Sequence, residues 1–432
     1  MSPRRSRATR LARRLGAEPE ELGPALWSLA YFFCLLASYY ALRPVREEMG
    51  VAGGVERLPW LFTATFAAML AATPAFGALA ARYPRRTLLP VVYGFFIACV
   101  LALYAWLRSG VAAAWAPGVF FVWLSVFNLM VVSVFWSFMA DIWREPQARR
   151  LFGVIAAGGS AGALAGPALT AVLAPRLGPV DLLPVAAALL AGALLCLARL
   201  RRWALARAAT DSRRTRADDA EAPLGGGAFA GLALVARSPY LLGIALFVLL
   251  TTALATVVYF QQAHLVRAAL GDPGRRTAVF ALMDLAVNAL TIGAQVLLTG
   301  RLVAWCDLSA TLALLPALSL AGFAALAAAP ALPVLVAFQV LRRATQYAVA
   351  GPAREMLFTV VTREEKYKAK NVIDTLVYRG GDAASGWAFA ALAARGFDLA
   401  ATALVALPLS AVWLVVALAL GRSQAARRSG AR

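Results

Sequence analysis

Histidine and cysteine are scarce in this chain of 432 residues, which holds one histidine and four cysteines. The cysteines lie singly at Cys34, Cys99, Cys196 and Cys306, so their spacing predicts neither a metal site nor a disulfide framework. The histidine, His264, has no clustered partners with which to form a catalytic or metal-binding set. We therefore predict that the chain is not an enzyme and has no metal and no cofactor.

Acidic residues are also few, since Asp and Glu number 22 against 42 Lys and Arg, giving a formal net charge of +20. No separate basic domain or aromatic-interleaved basic patch accompanies this excess, so nucleic-acid binding is not expected. The arginines are instead predicted to face the anionic lipids of a cytoplasmic membrane leaflet.

Long polar stretches are rare, because 61% of the residues are hydrophobic. A helix needs roughly 20 mostly apolar residues to cross a bilayer, and about twelve stretches satisfy this requirement. Their predicted bounds are 25–45, 58–80, 87–107, 115–139, 151–174, 180–199, 240–262, 277–299, 309–329, 332–353, 374–394 and 398–420. The sequence thus predicts an all-α, polytopic membrane protein without a second, soluble domain.

One long, charged connection divides the spans into two sets of six. Residues 200–236 contain several arginines followed by Gly225, Gly226 and Gly227, a composition typical of a flexible linker. We predict an N-terminal six-helix bundle with a basic tail (1–199), this cytoplasmic linker (200–236), and a C-terminal six-helix bundle with a basic tail (237–432).

The distribution of Lys and Arg predicts the orientation. With the N-terminus inside, about 33 of these 42 residues fall on the cytoplasmic side and about 9 on the other, which is the positive-inside pattern. We predict a bacterial inner-membrane protein with both termini in the cytoplasm. The Arg-rich residues 1–16 are also compatible with a transit peptide, although an anchor for the first span is our preferred interpretation.

The turn after the second span resembles a signature of major-facilitator permeases. Residues 77–87 read Gly-Ala-Leu-Ala-Ala-Arg-Tyr-Pro-Arg-Arg-Thr, similar to the family pattern Gly-x-Leu-Ala-Asp-Arg-x-Gly-Arg-Arg, with Ala81 and Pro84 at the Asp and second Gly positions. The functional residues of the pattern that match are Gly77, Arg82, Arg85 and Arg86, and Leu79 and Ala80 match as well. Six spans, a basic linker and six more spans resemble the same class.

The fifth span contains a glycine pattern with two interpretations. Gly158, Gly162 and Gly166 recur every four residues, which favours close helix packing. The stretch from Gly153 to Pro167 also resembles the glycine–proline motif of major-facilitator antiporters. Residues 158–162 match the Gly-x-Ser-x-Gly nucleophile elbow, but a membrane helix is the wrong context for a serine hydrolase.

Polar side chains within the spans are functional candidates, because ionisable groups in hydrocarbon are costly unless they are paired or hydrated. They repeat at helical spacing on one face of several spans, and stripes from both halves are expected to line a central substrate cavity. The arginine fork binds phosphate or carboxylate, so the basic set predicts an anionic substrate. The predicted substrate-binding residues are Tyr39, Arg43, Arg46, Asn128, Arg342, Arg343 and Arg379. The predicted coupling or gating residues are Glu47, Asp141, Asp284, Asn288, Asp374 and Asp382.

The alternative is that these charges neutralise one another and only stabilise the bundle. In that case Arg342 or Arg343 would pair with Asp284 or Asp374, and Arg46 would pair with Glu47 or Glu48. The sequence leaves both interpretations open.

Three segments resemble the bacterial and plastid ATP/ADP carrier family. They are Ser-Tyr-Tyr-Ala-Leu-Arg-Pro-Val-Arg-Glu-Glu at 38–48, Phe-Trp-Ser-Phe-Met-Ala-Asp at 135–141, and Tyr-Lys-Ala-Lys-Asn-Val-Ile-Asp at 367–374. The resemblance implies a major-facilitator-like fold and nucleotide exchange. The family's basic residue near Arg46 is kept. Its acidic residues in the fourth and seventh spans correspond to Ser125 or Asn128 and to Val258, and its lysine in the eleventh span falls near Asp382.

Taken together, these patterns predict a monomeric secondary transporter that moves a small anionic solute, such as a nucleotide, by alternating access. One alternative is a proton-coupled permease or exporter of another organic solute, and a more distant one is a non-transporting membrane scaffold. No Walker-type phosphate loop occurs in the sequence, so ATP-driven transport by this chain is not expected.

Overall fold

The computed structural model describes residues 17–82, 85–111, 114–210, 230–299 and 307–430, and no strand occurs within these ranges. The helices are α1 (Leu22–Ala52), α2 (Leu58–Arg82), α3 (Arg85–Ser109), α4 (Ala116–Ile142), α5 (Glu145–Leu177), α6 (Leu182–Thr210), α7 (Pro239–Ala269), α8 (Pro273–Ala294), α9 (Leu308–Ala328), α10 (from Leu332–Thr345 to Gly351–Leu357), α11 (from Arg363–Val372 to Tyr378–Ala394) and α12 (Leu399–Gly430).

Ten helices within the described ranges are long and apolar enough to cross a membrane. They correspond to the predicted first nine spans and the twelfth, which confirms the all-α, polytopic fold. Large apolar side chains such as Trp115, Val296 and Val415 lie exposed on the protein surface, as expected where lipid is the solvent.

The tenth and eleventh predicted spans are interrupted by π-helical turns. In α10, Gln346–Ala350 joins two α-helical pieces, and in α11, Ile373–Val377 does the same. A third π-helical turn, Gln295–Thr299, extends α8. A hydropathy profile cannot reveal a π-helical turn, because such a turn does not change the apolar composition of the span.

Local signals explain several helix ends. Ser238 caps α7 by accepting a hydrogen bond from the backbone N–H of Leu241, and Asp307 caps α9 in the same way. Gly178 ends α5 with φ of 84°, a conformation that costs glycine little. A short helix, Ala230–Arg237, precedes α7.

The helix α6 extends through Thr210, into the first part of the predicted linker. Residues 211–229 of that linker, with its three glycines, lie outside the described residues, as does the predicted basic N-terminal tail through residue 16. The division at residues 200–236 stays a prediction.

Packing divides the chain into two compact units that are not contiguous in sequence. Unit 1 comprises residues 1–53, 68–219 and 272–285, and unit 2 comprises the remainder. The start of α2 therefore belongs to unit 2, and the first half of α8 belongs to unit 1.

Each unit has its own apolar core. In unit 1, α1 packs against α4, α5 and α6, around buried aromatic residues that include Tyr31, Phe120 and Phe135. In unit 2, α7 packs against α11 and α12, around Phe247, Phe323 and others. These cores fix the helices from which the polar side chains project.

Candidate functional site

The end of α1 holds a group of charged side chains in unit 1. Arg46 is fixed by three contacts: its Nη1 lies 3.1 Å from Glu47 Oε1, its Nε donates to the Phe121 carbonyl at 3.3 Å, and its guanidinium lies 3.8 Å from the Phe121 ring centroid. Such a cation–π contact is stronger where water is excluded. Contacts with Phe121 of α4, in addition to the ion pair with Glu47, thus fix the position of the Arg46 side chain.

Two further residues of α1 form ion pairs with the first half of α8. Arg43 Nη1 lies 3.6 Å from Asp284 Oδ1. Glu48 accepts two hydrogen bonds from Arg276, at 2.8 Å from Nε and 2.7 Å from Nη2. The second pair is buried, with Glu48 only 1% exposed, and its fork-to-carboxylate geometry is the strong form of a charge-assisted hydrogen bond.

The other predicted residues of unit 1 lie nearby or at helix ends. Tyr39 is half-buried and its ring lies 5.0 Å from that of Tyr40, which in turn lies 5.9 Å from the Arg43 guanidinium. Asn128 is half-buried in α4, and Asp141 is exposed at the end of the same helix.

In unit 2, an arginine is buried in a chain of side-chain amides. Arg342 is 6% exposed and donates to Gln339 Oε1 from Nε at 3.0 Å and from Nη2 at 2.9 Å. Gln339 donates in turn to Gln262 at 3.1 Å. Among the described residues no carboxylate lies within ion-pair distance of Arg342. A buried guanidinium satisfied only by a neutral amide retains a strong preference for an anion.

Other predicted residues of unit 2 are buried or half-buried. Arg343 is half-buried, and Asn288 is buried in α8. Arg379 lies 3.7 Å from Asp382, which also accepts a hydrogen bond from Thr256 at 3.4 Å.

The acidic residue Asp374 is paired at the junction of α10 and α11. Its Oδ1 lies 3.2 Å from Arg354 Nη1, and the adjacent Glu355 accepts from Lys370. Of the pairings that mutual neutralisation predicts, Arg46 with Glu47 is present. Asp284 forms an ion pair with Arg43, and Asp374 forms one with Arg354, two partners that the sequence did not assign to these acids.

The glycines of the fifth span lie against the backbone of α1. A Cβ atom added at Gly158, Gly162 or Gly166 would lie 2.3, 2.4 or 2.6 Å from the carbonyl oxygens of Leu29, Phe33 and Ala37, respectively. Both helices advance by four residues at each contact. Pro167 is buried in the same helix, which continues through it.

The turn motif after the second span is described only in part. Arg82 is the exposed last residue of α2, and Gly77 lies in the same helix, whereas Arg85 and Arg86 open α3. The surroundings of Gly77 and the side chains of Arg85 and Arg86 are not among the parts that the structure describes.

Within the described ranges, no group of three or more His, Cys, Asp or Glu side chains is placed to hold a metal ion. Cys34, Cys99 and Cys196 are free thiols in α1, α3 and α6, and Cys306 lies outside the described residues. The polar groups that the structure brings together are guanidinium, carboxylate, amide and phenol groups, which recognise ions and hydrogen-bonding solutes.

Sequence reasoning missed two residues of these groups. Arg276 stands beside Arg275 at the start of a span and has the appearance of an ordinary positive residue at the membrane interface. Arg354 lies outside the polar stripes. Both could have been considered as partners of acids in spans, since a buried carboxylate needs a cation, but sequence alone does not show which cation is near.

No protein-family model matches the sequence, and no curated protein matches it. Solved structures do match over nearly the whole chain. A bacterial homologue of the iron transporter ferroportin in an inward-facing state has a TM-score of 0.66 at 13% identity, covering 93% of this chain and 99% of that one. The nucleoside transporter NupG has a TM-score of 0.63 at 15% identity, covering 93% and 98%. An auto-inhibited POT family peptide transporter has a TM-score of 0.62 at 15% identity, covering 94% and 97%.

These likenesses define the class of the molecule as a multi-pass, all-α membrane protein with a major-facilitator-like fold. At such low identity they establish the fold alone, since one fold supports many functions.

Proposed function

We propose that this protein is a secondary transporter for a small anionic solute and that it works by alternating access. The single observation that carries the proposal is Arg342, a buried guanidinium whose hydrogen bonds within the described residues go to the neutral amide of Gln339. Burial of a cation without a carboxylate is costly unless a ligand supplies the negative charge. A bound phosphate or carboxylate meets that need with a forked pair of hydrogen bonds.

The fold supports a transport role. The matched nucleoside, peptide and iron transporters share this architecture. Ionisable residues in membrane helices commonly mark a solute or ion pathway. We further propose that the protein lies in a bacterial inner membrane with both termini inside, is a monomer, and uses Arg43, Arg46 and Arg343 as further contacts for the anion.

We propose that the substrate is a nucleotide and that the protein exchanges it, because residues 38–48, 135–141 and 367–374 resemble ATP/ADP carriers. Arg46 in the first of these segments is fixed by the Phe121 ring and carbonyl, so its orientation does not depend on Glu47 alone. A pre-oriented arginine loses little freedom when it binds a phosphate.

The proposal is tested by counterflow in liposomes loaded with ADP and supplied with labelled ATP. We expect Arg342→Gln to lower the exchange rate by about 30-fold or more, because loss of a buried charged contact costs at least about 2 kcal/mol. Arg342→Lys should retain part of the activity, since it keeps the charge and loses the fork.

Arg267→Gln is the matched control, because it removes an arginine from an exposed ion pair with Glu56 and should leave exchange unchanged. Normal exchange by Arg342→Gln protein would contradict the assignment of this residue. No exchange or binding of any anion by the parent protein would contradict the proposed function.

A proton-coupled permease is the second candidate, and Glu47 favours it. This residue is buried. One of its carboxylate oxygens contacts Arg46, and the other is buried without a hydrogen-bond partner within the described residues. Buried carboxylates within membrane helices commonly belong to proton relays in transporters. Uptake driven by a pH gradient, and abolished by Glu47→Gln, would support this candidate over exchange.

A further inference from the structure

Two ion pairs attach the first half of α8 to α1, and they differ in geometry. Glu48 and Arg276 form two hydrogen bonds of 2.8 and 2.7 Å in a buried environment. Arg43 Nη1 and Asp284 Oδ1 are further apart, at 3.6 Å. Asp284 follows Arg276 by eight residues, or about 12 Å along α8. The pair at the end of the helix is therefore tight, whereas the pair deeper along it is loose.

Close packing against α5 surrounds the same end of α8. A Cβ atom at Gly274 would lie 2.5 Å from the Ala174 carbonyl oxygen of α5, so the start of α8 approaches the α5 backbone closely. Thr277, one residue after Arg276, is 0% exposed. Water is thus excluded beside the Glu48–Arg276 pair, and in such surroundings the two charges attract each other strongly.

The four charges form a balanced set of two arginines and two acids. Separating α8 from α1 would leave each charge in apolar surroundings without its partner, which is unfavourable. An anion that binds Arg43 would change this balance, because it would compete with Asp284 for the guanidinium and bring a second negative group close to that carboxylate. The longer ion pair, Arg43–Asp284, is therefore the one in which a solute can replace the carboxylate.

We propose that Arg43, Glu48, Arg276 and Asp284 form a latch that holds the first half of α8 on α1, and that an anionic solute releases it by displacing Asp284 from Arg43. Glu48–Arg276 determines how tightly the latch holds, and Arg43–Asp284 makes it responsive to the solute. The release step rests on the proposed function, whereas the holding step does not.

The holding step is tested by cysteine labelling of the full-length protein. In a background without native cysteines, Thr277→Cys places a reporter thiol at a fully buried position next to Arg276, and its rate of reaction with a maleimide measures how often this end of α8 opens to solvent. We expect Glu48→Gln or Arg276→Gln to raise this rate at least about tenfold, which corresponds to about 1.4 kcal/mol. Exchanging the charges, with Glu48→Arg and Arg276→Glu together, should restore slow labelling.

Two controls make this experiment specific. Arg267→Gln breaks an exposed ion pair and should leave labelling unchanged. Gly274→Leu keeps all four charges but forces α8 away from Ala174, and should therefore accelerate labelling. Unchanged labelling in both charge variants, with Gly274→Leu accelerated, would overturn the latch whatever the protein transports.

The release step is tested with ADP as the probe. ADP should accelerate labelling of the Thr277→Cys reporter, and Arg43→Gln should raise the basal rate and remove the response to ADP. A protein that exchanges ADP in liposomes but shows no ADP effect on labelling would overturn the release step. A protein that exchanges no anion, yet labels faster after Glu48→Gln, would overturn the proposed function and leave the holding step standing.

Discussion

Burial and pairing separate charged residues of this protein that look alike in sequence. Arg276 is buried against Glu48 and directs two hydrogen bonds to that carboxylate. Arg342 is buried to a similar degree, but its hydrogen bonds go to an amide. The first arrangement is complete without a ligand, and the second is satisfied electrostatically only when an anion is present. This difference is why we assign a holding role to Arg276 and a binding role to Arg342.

Glu21, just before α1, gives a prediction for pH dependence. Burial disfavours the charged form, but hydrogen bonds from the Glu18 backbone N–H and the Gln147 side chain, and the charges of Arg150 and Arg207, outweigh it and lower the pKa below the ordinary value of 4.5. The carboxylate therefore stabilises the folded state fully above about 4.5, and this contribution is lost as the pH falls through the folded-state pKa.

We expect Glu21→Gln to lower the free energy of unfolding by about 1 to 3 kcal/mol at neutral pH, because charge-assisted hydrogen bonds are lost. Thermal unfolding in detergent should show a difference in Tm between parent and variant that shrinks on acidification. The exposed neighbour Glu20 provides the control variant Glu20→Gln. A Tm difference that grows in acid would contradict this account.

The sequence showed which charged residues lie within the spans, but it did not show which residues they pair with. The cost of burying charge directed attention to Arg43, Asp284 and Arg342, and these three residues lie in buried or half-buried positions. Partner choice depends on which helices are neighbours, and Glu48 and Arg276 are 228 residues apart. A local sequence pattern cannot relate residues so far apart in the chain, so the ion pair between Glu48 and Arg276 was not predicted.

At the scale of elements, the contact between α1 and α5 gives a second prediction. Gly162→Ala places a Cβ atom 2.4 Å from the Phe33 carbonyl oxygen, and a backbone oxygen cannot rotate away as a side chain can. We expect a loss of about 1 to 3 kcal/mol, typical of overpacking, measured as a lower Tm.

Gly153→Ala is the matched control on the same helix, because nothing lies within 4 Å of an added Cβ atom there. It should leave stability unchanged or raise it by about 0.5 to 1 kcal/mol, since alanine is the better helix former. Equal effects of the two substitutions would show that α1 and α5 do not approach each other as described.

The sequence predicted most helices well, because a membrane span needs an apolar run of defined length and each such run is visible. The π-helical turns in α8, α10 and α11 were not predicted. A π-helical turn changes hydrogen bonding between successive turns rather than composition, and such turns are frequent at functional sites. All three helices carry predicted residues: Asp284 and Asn288 lie in α8, Arg342 and Arg343 in α10, and Asp374, Arg379 and Asp382 in α11.

At the scale of the whole molecule, the distribution of Lys and Arg predicts the orientation in the membrane. In cells expressing a variant without native cysteines, Gly271→Cys, between α7 and α8, should react with an impermeant maleimide added outside. Ser429→Cys, near the end of α12, should react only after the cells are opened. Both positions are exposed, so the reverse labelling pattern would mean that the orientation is inverted.

The division of α8 between the two units has a consequence for synthesis of the chain. The ribosome reaches Arg276 228 residues after Glu48, an interval on the order of 10 to 50 s at bacterial and eukaryotic elongation rates. During that time the nascent chain already contains Glu48, whose carboxylate is buried in the folded protein. Its partner Arg276 has not yet been synthesised. Unit 1 is therefore incomplete when membrane insertases and quality-control proteases first act on it. A chain truncated before Arg276 should be degraded and should not accumulate in the membrane.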